Sequence, residues 1–159
     1  MGNSRNGIVL SGSTALNGAT RFAKSNTTTE VVATNGTEVI DFSASANKIA
    51  ELMGLYVGIN APVGAASGTH ELKISLVSGT DTVPIAYFNV AYNVALVFTY
   101  SELSAGTVNP SDKAALLAAL QKTRIDANLL LRFTYYNKTN VNTTSDRDYR
   151  LVFVERGVS

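Results

Sequence analysis

The chain has 159 residues, no cysteine, one histidine (His70) and a formal net charge of +1. That length gives one ordinary domain that needs no covalent staple. The missing cysteines exclude disulfide frameworks, thiolate metal sites and cysteine nucleophiles, and a lone imidazole excludes any site needing two.

Charged residues make up 16%, against about 25% in an average soluble domain. No global field therefore directs the chain to nucleic acid or to a membrane surface. Short side chains take the place of charge: Ala 19, Gly 12, Ser 14, Thr 17 and Asn 14, with glutamine only at Gln121. Ordering such a surface against a partner costs little rotamer entropy.

Residues 1–29 differ from the rest. They are rich in glycine, serine, threonine and asparagine, and carry Arg5, Arg21 and Lys24 with no acid. No apolar core of a secretory signal is present, so none is expected, and no run of apolar residues is long enough to span a bilayer as a helix. A segment of this composition cannot offset its own ordering entropy. It is expected to be an extended N-terminal arm held by a partner. Ile8, Val9 and Leu10, its one apolar cluster, would anchor it, and Arg5, Arg21 and Lys24 would set its register on an acidic surface. Residues 30–159 are expected to form a β-sandwich domain.

From residue 30 the hydrophobic period is two. Val31–Ala33 and Val39–Phe42 flank Asn35-Gly36, which predicts a hairpin. Over 48–60, Ile49, Met53, Leu55, Val57 and Ile59 share a face; Gly54 and Gly58, opposite, suggest a bulge or a close neighbour. Leu72, Ile74 and Leu76 alternate with Glu71, Lys73 and Ser75, and Ser78–Asp81 is a turn. Residues 84–100 alternate throughout and contain the tandem Phe88–Ala91 and Tyr92–Ala95. A single strand of that length is far beyond the usual, so it is bent by a bulge or split between two sheets.

Asn109-Pro110-Ser111-Asp112 reads as a helix start, followed by a stripe of Leu116, Leu117 and Leu120, with Lys122 and Arg124 near the end. This predicts one inserted helix at about 110–122. Strands at 127–137, with Leu129, Leu131, Phe133 and Tyr135 on one face, and at 148–156, with Tyr149, Leu151 and Phe153 inward, close the chain. Asn137–Ser145 between them reads as a polar, mobile loop tip. The whole is expected to be all-β: an antiparallel, jelly-roll-like sandwich with one helix, an up-and-down barrel being the alternative.

No catalytic constellation emerges. His70 begins a strand with no nucleophile motif to serve, and reads as a surface or interface group. Asp146-Arg147-Asp148 with Arg150 is the densest charge cluster; the two acids suit Ca²⁺ chemically, but no calcium-loop pattern surrounds them. Arg147 and Arg150 more simply neutralise them across a turn. Tyr87, Tyr92, Tyr135, Tyr136 and Tyr149 offer a stacking platform, although alternation places most of these rings inward. No obligate metal or cofactor, and no enzyme, is expected.

Over residues 40–78 the chain resembles small phage virion proteins of β-sandwich type, which decorate or cement capsids. The resembling residues are Ile40-Asp41-Phe42-Ser43, Gly54-Leu55-Tyr56-Val57-Gly58 and Ser67-Gly68-Thr69-His70-Glu71-Leu72-Lys73-Ile74. The resemblance implies a non-enzymatic virion subunit, made in the host cytoplasm, whose partners are copies of itself and a major capsid protein. The helix insertion departs from that pattern and leaves room for a tail-tube or connector subunit. A carbohydrate- or receptor-binding β-sandwich is the reading from a different class.

Overall fold

A computed structural model describes residues 20–101, 104–108 and 123–158. Among these, ten strands follow in order: β1 (Thr20–Thr28), β2 (Gly36–Phe42), β3 (Lys48–Ile59), β4 (Gly68–Ser78), β5 (Asp81–Ala91), β6 (Leu96–Ser101), β7 (Ser104–Val108), β8 (Arg124–Ile125), β9 (Leu129–Thr139) and β10 (Arg147–Gly157). The helix expected at 110–122 lies outside the described residues.

The strands form two antiparallel sheets. One runs β1-β10-β3-β6-β7, with β8 also pairing β3, and the other runs β2-β9-β4-β5. Setting β7 and β8 aside, the orders 1-10-3-6 and 2-9-4-5 are those of a jelly roll, two interleaved Greek keys closed face to face. The all-β sandwich is therefore the fold.

Between the sheets lies one core. Phe42, Leu72, Ile74, Phe88, Leu131 and Phe133 come from the four-stranded sheet, and Leu55, Val57, Ile59, Tyr149, Leu151 and Phe153 from the other. Phe133 meets Phe42 edge-on at 5.7 Å and Tyr149 at 5.2 Å between ring centroids. Both are favourable aromatic geometries.

Several expectations need correction. Among the described residues the sheet begins at Thr20, inside the segment read as an arm: β1 pairs with β10 from Thr20↔Glu155 to Thr28↔Arg147. Phe22 stacks on Phe153 at 5.4 Å, so residues 20–28 belong to the sandwich. Composition hid this because β1 contributes one large apolar side chain and leans on a partner strand for the rest.

Asn35-Gly36 does make a tight turn, with Asn35 at φ 62° and the Gly36 N–H bonded to the Ala33 carbonyl at 2.8 Å. It does not close a hairpin. Val32 bridges to Thr143, and β2 pairs with β9.

In β3 the register against β10 jumps from Val152↔Gly54 to Phe153↔Leu52, a bulge that leaves Met53 unpaired. One extra residue inverts the facing. Ala50 and Leu52 therefore point inward before the bulge and Leu55, Val57 and Ile59 after it, while Ile49 is exposed.

The run at 84–100 is split, as one of its two readings required. β5 lies in the four-stranded sheet and β6 in the other, joined by a turn in which the Val94 N–H bonds the Ala91 carbonyl at 3.0 Å. The segment read as a mobile tip is instead pinned. Asn137, Thr139 and Thr143 are buried, and Asn137 Nδ2 donates to the carbonyls of Val32 and Val141 at 3.0 and 2.8 Å.

Candidate functional site

Alternation along β10 aims Arg147 inward, in phase with Tyr149, Leu151 and Phe153, and its side chain is fully buried. A charge there survives only when every donor finds an acceptor. Nε and Nη2 donate to the two Glu38 carboxylate oxygens at 2.9 Å each, Nη2 also to the Glu30 carbonyl and Nη1 to the Ser145 carbonyl, both at 2.6 Å. The guanidinium lies 5.3 Å from the Tyr135 ring centroid. Arg147 therefore does not neutralise Asp146 and Asp148 across a turn, as its neighbours in sequence suggested; Arg150 takes Asp148 at 2.5 Å.

His70 is also fully buried, not a surface group. Its Nε2 lies 2.7 Å from the Val94 carbonyl, a donor contact that clamps the β5–β6 turn, and Nδ1 lies 3.5 Å from the Tyr135 hydroxyl. Burial lowers its pKa from the ordinary 6.5, and the bond to Val94 opposes that shift. Burial likewise raises the Tyr135 phenol to about 12 and pushes Tyr149 higher still. These groups stay neutral at ordinary pH: His70 and Tyr135 make structural contacts, and the Tyr149 hydroxyl is buried without a hydrogen-bond partner among the described residues. No group of three or more potential metal ligands occurs among the described residues.

Functional chemistry is better sought on the two outer faces. On the four-stranded sheet, Tyr87 and Tyr136 point outward, Tyr87 being 54% exposed. Tyr136 has the ammonium groups of Lys73 and Lys138 at 5.8 and 5.7 Å from its ring centroid. Lys138 also pairs with Glu71 at 3.0 Å, and Asn89 donates to the same carboxylate at 3.0 Å. Of the tyrosines read as a platform, Tyr135 and Tyr149 are core residues.

On the other sheet the outward residues include Tyr56 and Arg150, and Arg124 pairs with Glu51 at 2.7 Å. The Arg150 guanidinium lies 5.4 Å from the Tyr56 ring centroid, and Asp148 accepts from Thr27 at 3.0 Å. A β-carbon on Gly58 would collide with the Tyr56 hydroxyl, so glycine there lets the ring lie along the strand. Beside them a shallow groove of about 520 Å³ crosses β1, β10, β3 and β6. Sequence reasoning missed Tyr56 as a surface group. Its signal was the pair Gly54 and Gly58, read as a bulge or a close neighbour; the bulge is at Met53, and the neighbour is Tyr56 itself.

Of the proposed arm residues, Arg5, Ile8, Val9 and Leu10 lie outside the described residues. Arg21 pairs with Val154 through β1. Lys24 donates to the Ser43 carbonyl and sits 5.6 Å from the Phe22 ring, so its ammonium is engaged within the chain.

No protein-family model and no curated protein matches this chain. Among solved structures it is similar to a family 11 carbohydrate-binding module from Clostridium thermocellum, in complex with a β-1,3-1,4-mixed-linked tetrasaccharide. The identity is 11% and the TM-score 0.30, over 88% of this chain and 89% of that one.

Proposed function

We propose that the chain is a non-enzymatic structural subunit of a virion, of the capsid decoration, cement or minor capsid type, which packs against copies of itself and a major capsid protein. The observation that supports this reading best is the strand order 1-10-3-6 over 2-9-4-5. Jelly-roll sandwiches are a common building block of capsids. The step from fold to role is an architectural analogy. Native mass spectrometry of the full chain, alone and with candidate shells, tests the reading. A closed symmetric multimer or saturable attachment to a shell is the expected result. A strict monomer that binds no shell refutes it.

A carbohydrate-binding module is the second reading, favoured by the outward tyrosines Tyr56, Tyr87 and Tyr136 on faces with hydrogen-bonding neighbours. Screening the full chain on a glycan array tests it, with retention of a defined glycan as the expected result.

A further inference from the structure

We infer that an internal water molecule binds between the two sheets beside the Arg147–Glu38 pair, held by the Tyr149 hydroxyl, the Asn26 side-chain oxygen and the Glu38 carboxylate.

The fold leaves two polar atoms in need of it. Among the described residues, Asn26 Oδ1 and the Tyr149 hydroxyl are the buried side-chain polar atoms with no hydrogen-bond partner. They are not scattered. Asn26 and Tyr149 lie directly opposite each other across β1 and β10, so their side chains stand next to each other on one face of the sheet. That face is the inner one: on the same two strands Phe22 stacks on Phe153, and Tyr149 itself is fully buried. An unpaired buried donor and an unpaired buried acceptor each cost the full desolvation of the group. A shared partner removes both costs.

Glu38 supplies a third contact. β2 brings its carboxylate in from the opposite sheet, where it accepts two bonds from Arg147 and one from Thr28 Oγ1 at 3.4 Å. A carboxylate accepts about four hydrogen bonds, which leaves room for one more. Burial raises the pKa of the Tyr149 phenol, and the Glu38 charge raises it further, as expected of two groups that lie near each other. Asn26, Thr28, Glu38 and Ile40 line an opening of about 510 Å³ at the β1–β2 edge, by which a water exchanges with solvent.

The chemistry selects the occupant. One donor and two acceptors call for a partner that accepts once and donates twice. Water offers that set in a single small molecule, and about three hydrogen bonds are what an internal water usually makes. A cation would be repelled by the Arg147 guanidinium. An anion would be repelled by the Glu38 carboxylate and would find Asn26 Oδ1 turned toward it. An apolar group would leave both orphan atoms unpaired.

The test joins a crystal structure of the full chain to urea denaturation of Tyr149→Phe, Asn26→Ala and the double variant. One ordered water within hydrogen-bond distance of Tyr149 Oη and Asn26 Oδ1 is the expected result in the crystal. Tyr149→Phe removes only the hydroxyl, and with its water bond lost it should lower the folding equilibrium constant about threefold to tenfold. The double variant should lose less than the product of the two single losses, by about threefold. A hydroxyl with no partner at all behaves in the opposite way. Tyr149→Phe would then leave the constant unchanged or raise it, and that overturns the site. Single losses that simply multiply overturn the shared partner. A direct hydrogen bond from Tyr149 to Asn26 or Glu38 in the crystal, with no water between them, overturns the inference as well.

Discussion

Arg147 and Glu38 join the two sheets of the sandwich. The first projects from β10 and the second from β2, and the guanidinium meets both carboxylate oxygens at 2.9 Å. Buried pairs of this kind gain little over a well-packed apolar pair, yet removing one partner strands a charge. Arg147→Ala or Glu38→Ala should cost about 3–5 kcal/mol. Arg147→Met combined with Glu38→Leu should recover much of that loss. Urea denaturation of the three variants measures it, and single variants within about 1 kcal/mol of the parent would contradict the burial.

His70 makes stability depend on pH. Its folded pKa lies below 6.5, so above that pH the imidazole is neutral in both states and its contribution is complete. As pH falls below 6.5 the unfolded chain takes up the proton first, and stability drops until the folded form protonates too. Among the described residues no carboxylate hydrogen-bonds the ring to offset the charge; it contacts the Val94 carbonyl and the Tyr135 hydroxyl. The denaturation midpoint should decline as pH falls below about 6.5. His70→Gln should flatten that decline. An unchanged slope in the variant would assign the effect to other groups.

Three glycines with positive φ should respond differently to alanine. Gly64 (φ 82°) and Gly79 (φ 59°) have open space where a β-carbon would go. At Gly68 (φ 94°) that atom would run into the backbone of Lys138 and Thr139. Gly64→Ala and Gly79→Ala should each cost about 1–2 kcal/mol, from backbone strain alone. Gly68→Ala should exceed both, since β4 would have to part from β9. Thermal melts rank them; Gly68→Ala as the mildest of the three would refute the contact.

Two truncations separate fold from assembly. Removing residues 1–19 leaves β1 whole, and the virion reading expects normal circular dichroism with weaker multimer formation or shell attachment. Removing residues 1–28 takes away β1, bares the edge of β10 and deletes the Phe22–Phe153 stack. That second variant should lose about 3 kcal/mol or more, as for a lost core aromatic. Native mass spectrometry and denaturation together read the outcome. Equal stability of the two truncated chains would remove β1 from the fold.

How much of this was legible in the sequence depended on range. Period two revealed Leu55, Val57 and Ile59, and Leu131, Phe133 and Tyr135, because each strand carries its own facing. The same rule failed at Ile49, since one bulged residue inverts the phase and nothing local announces it. Arg147 stood between two acids, so a local pairing looked sufficient; Glu38 is its partner only because β2 and β10 face each other across the core. Its phase with Tyr149 and Leu151 was the clue, as was that of His70 with Leu72 and Ile74. The Tyr56 groove was least legible, because an outer face is defined by what strands from all over the chain leave uncovered.

The larger sheet seats β10 between β1 and β3, so that Thr20 is matched to Glu155 and Lys48 to Gly157. During synthesis, β1 and β3 emerge long before β10, the strand that pairs with both. Nothing local can take its place, and contacts so distant in sequence form slowly. The sandwich closes only when residues 147–157 have left the ribosome, so a chain stalled before that stretch carries unpaired strand edges that invite pairing with its neighbours.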